Sequence, residues 1–134
     1  VLHGAPALAL HPYEEAHYNW AVGGPRTATH AVIVGWGEGL DEAATALARS
    51  PDAARTTIAT TRVTQFADFY PGTTVRLEDS SLMKPGGVQP DFVLFYISSV
   101  QSGRFASVWK RYKNSDPVYR LDINGIPFVR VYCA

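Results

Sequence analysis

Apolar positions along the chain follow two rhythms, one of period two and one near 3.6, and their alternation predicts a mixed α/β architecture. Ala31-Val32-Ile33-Val34 is a short β-branched run closed by glycines, and behind it Leu40, Ala43, Ala44 and Leu47 fall at helical spacing. A strand followed by a helix is expected there, joined by the turn Gly35-Trp36-Gly37-Glu38-Gly39. Asp41 and Glu42 occupy the helix's first turn, where the macrodipole favours anions; Arg49 sits in its last turn and Ser50-Pro51-Asp52 stops it. A second β-branched run from Thr56 to Thr60 precedes a second helical stripe, Val63, Phe66, Ala67 and Tyr70, ended by Pro71-Gly72. Thr73 to Leu77 alternates as a third strand, and Asp79 to Pro90 reads as a turn-rich loop around Lys84-Pro85-Gly86-Gly87.

Phe92 to Ile97 is apolar throughout, as a central strand buried on both faces would be. Ser102 is placed to cap a third amphipathic segment, Arg104 to Tyr112, with Phe105, Val108, Trp109 and Tyr112 on one face. Val118 to Ile123 and Ile126 to Tyr132 flank Asn124-Gly125, the strongest short-range hairpin signal in the chain. This order predicts a single open three-layer α/β/α domain over residues 31–134, Rossmann-like, with a mostly parallel sheet and an antiparallel C-terminal hairpin. Residues 1–30 are aromatic, punctuated by Gly and Pro and without clear period, which predicts a lead-in segment laid across the domain surface.

Composition narrows the possible roles. Twelve Lys and Arg balance twelve Asp and Glu, so the clearly basic surface that nucleic-acid binding demands is not expected. The single cysteine, Cys133, leaves no internal disulfide and no set of thiolate metal ligands, so stability must come from packing. The longest uncharged apolar-leaning run, Val1 to Tyr13, is broken by His3, Gly4, Pro6 and His11 and falls short of the ~20 residues that cross a bilayer. It lacks the basic start of a secretory signal, and the first residue is not Met, so a fragment of a longer chain is expected.

The Gly35 to Gly39 turn stands where doubly wound folds bind nucleotides, but the dinucleotide fingerprint needs a third glycine where Leu40 stands, and Glu38 places a carboxylate in the loop. Two readings remain. One is a tight, glycine-permitted turn (Gly35, Gly37, Gly39) that lets Trp36 pack; the other is a ligand or interface role for Trp36 and Glu38 at the carboxyl end of the sheet. Tyr13, Tyr18 and Arg26 of the lead-in segment join them as ligand or interface candidates.

The four histidines, His3, His11, His17 and His30, lack the i, i+4 spacing of a helical zinc site, and no metal or cofactor is expected. Glu14 and Glu15 are adjacent, and neighbours on a helix or strand are expected to face different ways; no Ser-His-Asp order with an elbow turn is present, so no catalytic residue is assigned. Arg104, Lys110, Arg111 and Lys113 are the one basic concentration, either a solvated helix face or contacts to lipid phosphate.

Three stretches together resemble the tail of family 39 glycosyltransferases, the dolichyl-phosphate-mannose/aminoarabinose transferase-like membrane proteins of the GT-C class. They are His11-Pro12-Tyr13 through Tyr18-Asn19 to Gly23-Gly24-Pro25-Arg26; Val34 to Asp41 with its Ala-rich helix; and Asp122 to Ile126 with Val129-Arg130-Val131-Tyr132. Trp20 departs from the pattern, since family members often carry Pro after the Tyr-Asn pair. The resemblance implies a parent enzyme in the cell membrane that moves a sugar from a polyprenyl-phosphate donor to an acceptor on the outer side. This chain would be its extracytoplasmic C-terminal accessory domain, with residues 1–30 following the last transmembrane helix. The family's catalytic acidic residue lies in a loop between early transmembrane helices, so the domain alone is not expected to be catalytic. Its implied partners are the transmembrane part of the same chain, lipid-linked sugar and the membrane surface. The alternatives are an independent small-ligand-binding or protein-interaction α/β module.

Overall fold

The computed structural model of the chain describes residues 23–134. Among the described residues helix α1 (Gly24–Ala31) comes first, with Pro25 in its opening turn, where a fixed φ suits the helix and the missing N–H breaks no internal bond. Periodicity predicted no element here. The run 31–34, expected as the first strand, is not part of the sheet. One side chain satisfies its backbone instead: Gln101 accepts the Val34 N–H at Oε1 (2.9 Å) and donates from Nε2 to the carbonyls of Thr29 (2.7 Å) and Val32 (3.2 Å). The Val32 N–H closes α1 on the Ala28 carbonyl (2.9 Å). With these groups taken, a β-branched composition has no strand to pair with, and only Val34 turns inward.

Helix α2 (Leu40–Leu47) buries Leu40, Ala43 and Ala44 and carries Asp41 and Glu42 in its first turn, as the periodicity required. The expected alternation then appears as β1 (Thr57–Thr60), α3 (Val63–Ala67), β2 (Thr73–Arg76) and β3 (Phe92–Tyr96). Helix α4 (Ile97–Gln101) leaves β3 directly and precedes α5 (Ala106–Tyr112). Ser102 does not cap α5; it ends α4, its Oγ donating to the Ser99 carbonyl (3.1 Å), and Phe105 holds the N-cap position of α5. Strands β4 (Tyr119–Ile123) and β5 (Ile126–Cys133) meet at Asn124 and Gly125, whose φ values of 54° and 73° are the left-handed pair of a type I′ hairpin.

The strand order is β2-β1-β3-β5-β4. β1 pairs in parallel with β2 and β3, while β5 pairs antiparallel with β3 and β4, so the sheet is mixed rather than mostly parallel. The antiparallel C-terminal hairpin closes one edge of the sheet as expected, with β5 inside against β3 and β4 at the rim opposite β2. Its residues explain the choice, because Phe128, Val129, Val131 and Tyr132 are all buried, which needs a cover on both faces. Pro127 falls at the register shift opposite Asp122, where a strand tolerates a missing N–H.

Neighbouring residues of β1 and β3 point to opposite faces and divide the core in two. Ile58, Leu94 and Tyr96 pack with Leu40, Ala43, Ala44 and Phe66 of α2 and α3. Ala59, Val93 and Phe95 pack with Phe105 and Val108 around α5.

Candidate functional site

From β1 the chain crosses to β2 on one side, and from β3 it runs through α4 and α5 toward β4 on the other. The carboxyl ends of β1 and β3 are therefore a point where connections diverge, and open α/β sheets place ligands in such a crevice. A cavity of about 390 Å³ opens there. Thr61 and Arg62 line it from the end of β1, and Ser98, Ser99, Ser102 and Arg104 from the segment after β3. Ile33 and Phe105 complete the wall, so no acidic residue lines it.

Arg62 is anchored at both ends. Its N–H donates to Thr60 Oγ1 (3.2 Å), its Nη2 donates to Ser98 Oγ (2.6 Å), and the guanidinium lies over the Tyr96 ring at 5.1 Å. Among the described residues it forms no ion pair. The Thr61 and Ser99 hydroxyls are bonded to each other beside it. Arg104 meets Glu78 Oε1 at 3.0 Å, a pair whose guanidinium is largely in solvent and whose carboxylate is half-buried, worth about 1 kcal/mol. Two guanidinium groups and several hydroxyls give the crevice a lining chemically suited to negative or strongly polar groups. No lining residue is a carboxylate, thiol or imidazole that would move a proton at neutral pH.

The Gly35 to Gly39 turn sits over the same end of the sheet. Glu38 folds back into it, and its Oε2 accepts the N–H of Trp36 (2.6 Å), the N–H of Gly37 (3.1 Å) and the hydroxyl of Tyr96 (2.8 Å). The Tyr96 oxygen in turn accepts the Gly37 N–H (2.9 Å). The amides that would cradle a phosphate are thus occupied by the chain's own carboxylate, a stronger bar to nucleotide binding there than the missing glycine at Leu40. Burial, then its hydrogen bond to Glu38, holds the Tyr96 hydroxyl far above the ordinary tyrosine range. Gly35 is required by space as well as by its φ of 93°, since a Cβ there would lie 2.8 Å from Ile97 Cγ2 and from the Tyr96 ring and hydroxyl.

The turn does not let Trp36 pack. The indole is 84% exposed, and Ile33 and Val32 beside it are 63% and 57% exposed. Of the two readings of the turn, its backbone role falls to Gly35, Gly37, Gly39 and Glu38, while Trp36 is left at the surface with two aliphatic neighbours. Arg26 is exposed on α1 and does not line the crevice. The basic concentration divides: Arg104 lines the crevice, and Lys110 and Arg111 are exposed farther along α5, outside it. Tyr13, Tyr18, Trp20, Glu14, Glu15, His3, His11 and His17 lie outside the described residues.

Sequence periodicity did not single out Arg62, Thr61, Ser98, Ser99 or Ser102. The available signal was position for four of them, since Thr61 and Arg62 follow β1 and Ser98 and Ser99 follow β3 within three residues; Ser102, expected only as a helix cap, lies beyond α4. Among the described residues no group of three or more His, Cys, Asp or Glu is placed to hold a metal ion, and no helix is long and apolar enough to cross a membrane. No protein-family profile, no curated protein and no solved structure matches the chain.

Proposed function

We propose that the chain is the extracytoplasmic C-terminal accessory domain of a membrane glycosyltransferase that uses a polyprenyl-phosphate-sugar donor, docked on the membrane-embedded part of the same parent chain and inactive alone. The observation that carries the reading is the exposed run Val32, Ile33 and Trp36. Three large apolar side chains within five residues, on a backbone held from behind by Gln101 and Glu38, form a rigid apolar edge, and such edges mark interaction sites. Burying the Trp36 ring, about 200 Å² at ~25 cal/mol/Å², is worth about 5 kcal/mol gross in a docked state. The lead-in motif, the Val34 to Asp41 turn and the closing Asp122 to Tyr132 hairpin, all resembling the tail of family 39 transferases, support the membrane-embedded part of such a transferase as the partner.

The same reading takes the fold as a three-layer, Rossmann-like derivative. The β2-β1-β3 order, with helices against both faces, supports it. The rival is an independent ligand-binding module, for which the crevice itself speaks. The coding sequence upstream of Val1 separates them: several apolar stretches of ~20 residues are expected, and a preceding segment with none would end the transferase reading. In membranes carrying the intact parent, Ile33→Ser with Trp36→Ser is expected to reduce sugar transfer at least about tenfold, a coupling of ~1.4 kcal/mol or more. Transfer by the purified domain alone would contradict the proposal.

A further inference from the structure

We infer that the crevice between the carboxyl ends of β1 and β3 is a binding site for a phosphate group, a mono- or diester, held between Arg62 and Arg104. The inference stands on the crevice alone and does not depend on the parent being a sugar transferase. Its first support is the state of Arg62. A guanidinium carries five N–H donors in a fixed fork, yet the one side-chain hydrogen bond of Arg62 goes to Ser98 Oγ, and its charge meets no carboxylate among the described residues. It is also half-buried and held over the Tyr96 ring, so its donors are fixed in direction before a ligand arrives.

The second support is what faces it. Arg104, which also lines the cavity, lies over the Phe105 ring at 5.2 Å and pairs with the half-buried carboxylate of Glu78, a single ion pair at a solvent-facing guanidinium that a phosphate oxygen can displace. Ser98 Oγ accepts from Arg62 and keeps its own proton for a ligand oxygen, while the Thr61–Ser99 hydroxyl pair holds one further proton and the Ser102 hydroxyl is spent on the Ser99 carbonyl. A carboxylate ligand has two oxygens, which one guanidinium fork satisfies; two guanidiniums and the Ser98 hydroxyl lining one cavity fit the greater number of acceptor oxygens on a phosphate. A volume of about 390 Å³ holds more than the anion, leaving room for the first polar group esterified to it. The Glu38 turn is excluded as the anion site, because its amides are already taken.

The test is titration of the 134-residue chain, followed by calorimetry, with two kinds of probe: inorganic phosphate and glycerol phosphate in solution, and vesicles of neutral lipid with and without phosphatidic acid. Saturable binding of the soluble phosphates, with a dissociation constant on the order of 1 mM, identifies a site for free phosphate or phosphoesters. Binding confined to phosphatidic-acid vesicles identifies a lipid headgroup; either result supports the site provided Arg62→Gln weakens it at least about tenfold. Arg62→Lys, which keeps the charge and loses the fork, is expected to fall between wild type and Arg62→Gln, and serves if the latter does not fold. The inference is overturned if neither probe binds, or if binding survives Arg62→Gln and is lost instead in Lys110→Gln with Arg111→Gln.

Discussion

Replacing Tyr96 by Phe removes one oxygen from the point where β3 meets the Gly35 to Gly39 turn, and leaves the buried ring unchanged. The lost interaction is a donation to the Glu38 carboxylate at 2.8 Å. Hydrogen bonds to charged acceptors contribute about 1.5–3 kcal/mol net, so the substitution is expected to cost ~2 kcal/mol at neutral pH. The Gly37 N–H keeps Glu38 Oε2 at 3.1 Å, so no orphaned donor enlarges the effect. Tyr70→Phe is the internal control: its hydroxyl bonds the neutral Thr56 hydroxyl, and ~1 kcal/mol is expected.

The pH dependence adds a sign. Burial, followed by the Glu38 bond, raises the Tyr96 pKa, so its contribution is fully present below the unfolded pKa of about 10 and is lost as pH rises beyond it. Above that pH the unfolded state releases a proton that the folded state keeps, and stability falls by up to ~1.4 kcal/mol per pH unit for this residue. Tyr112, Tyr119 and Tyr132, also raised chiefly by burial, remain in the variant, so the two stability curves should converge above pH 10 without the variant's becoming flat. Urea unfolding of wild type and variant from pH 7 to 11 measures both quantities. A neutral-pH loss below ~0.5 kcal/mol, or parallel curves above pH 10, would refute the Glu38 clamp.

Gly35→Ala places a Cβ 2.8 Å from Ile97 and Tyr96 at a φ of 93°, and should lower unfolding free energy by about 2–4 kcal/mol, read by denaturant titration. Gln101→Ala removes three hydrogen bonds, one to Thr29 in α1 and two to the segment joining α1 to α2, and is expected to cost ~2 kcal/mol; amide exchange at Val34 should accelerate well beyond that of Val93 in the core. Trp36→Ser should change the stability of the isolated chain by less than ~0.5 kcal/mol, because the indole is 84% exposed; a larger loss in thermal unfolding would mean that the ring packs.

Much of the fold was legible because its signals are local. The Leu40, Ala43 and Ala44 stripe, the unbroken apolar run of β3 and the Asn124-Gly125 turn each declare an element within a few residues. The failures are non-local. Val32 and Ile33 look like strand residues, and what keeps this segment out of the sheet is Gln101, 67 residues from Val34. The hairpin signal showed that β4 and β5 pair, but which of them docks on β3 depends on burial of both faces of β5. Helix α4 is a single short turn with no apolar period to announce it. At the site, the glycine turn stood out at once, and its carboxylate hinted that it would not hold an anion. The pairing of Arg62 with Ser98 was invisible, because these residues meet only once β1 and β3 lie side by side.

The docking claim is tested most directly by the accessibility of position 36 in the intact membrane parent. With Cys133→Ser removing the exposed native thiol and Trp36→Cys supplying a reporter, maleimide labelling is compared between the parent in membranes and the 134-residue chain in solution. The account predicts labelling at least about tenfold slower in the parent, since the apolar edge is covered there. Equal rates in the two settings would contradict it.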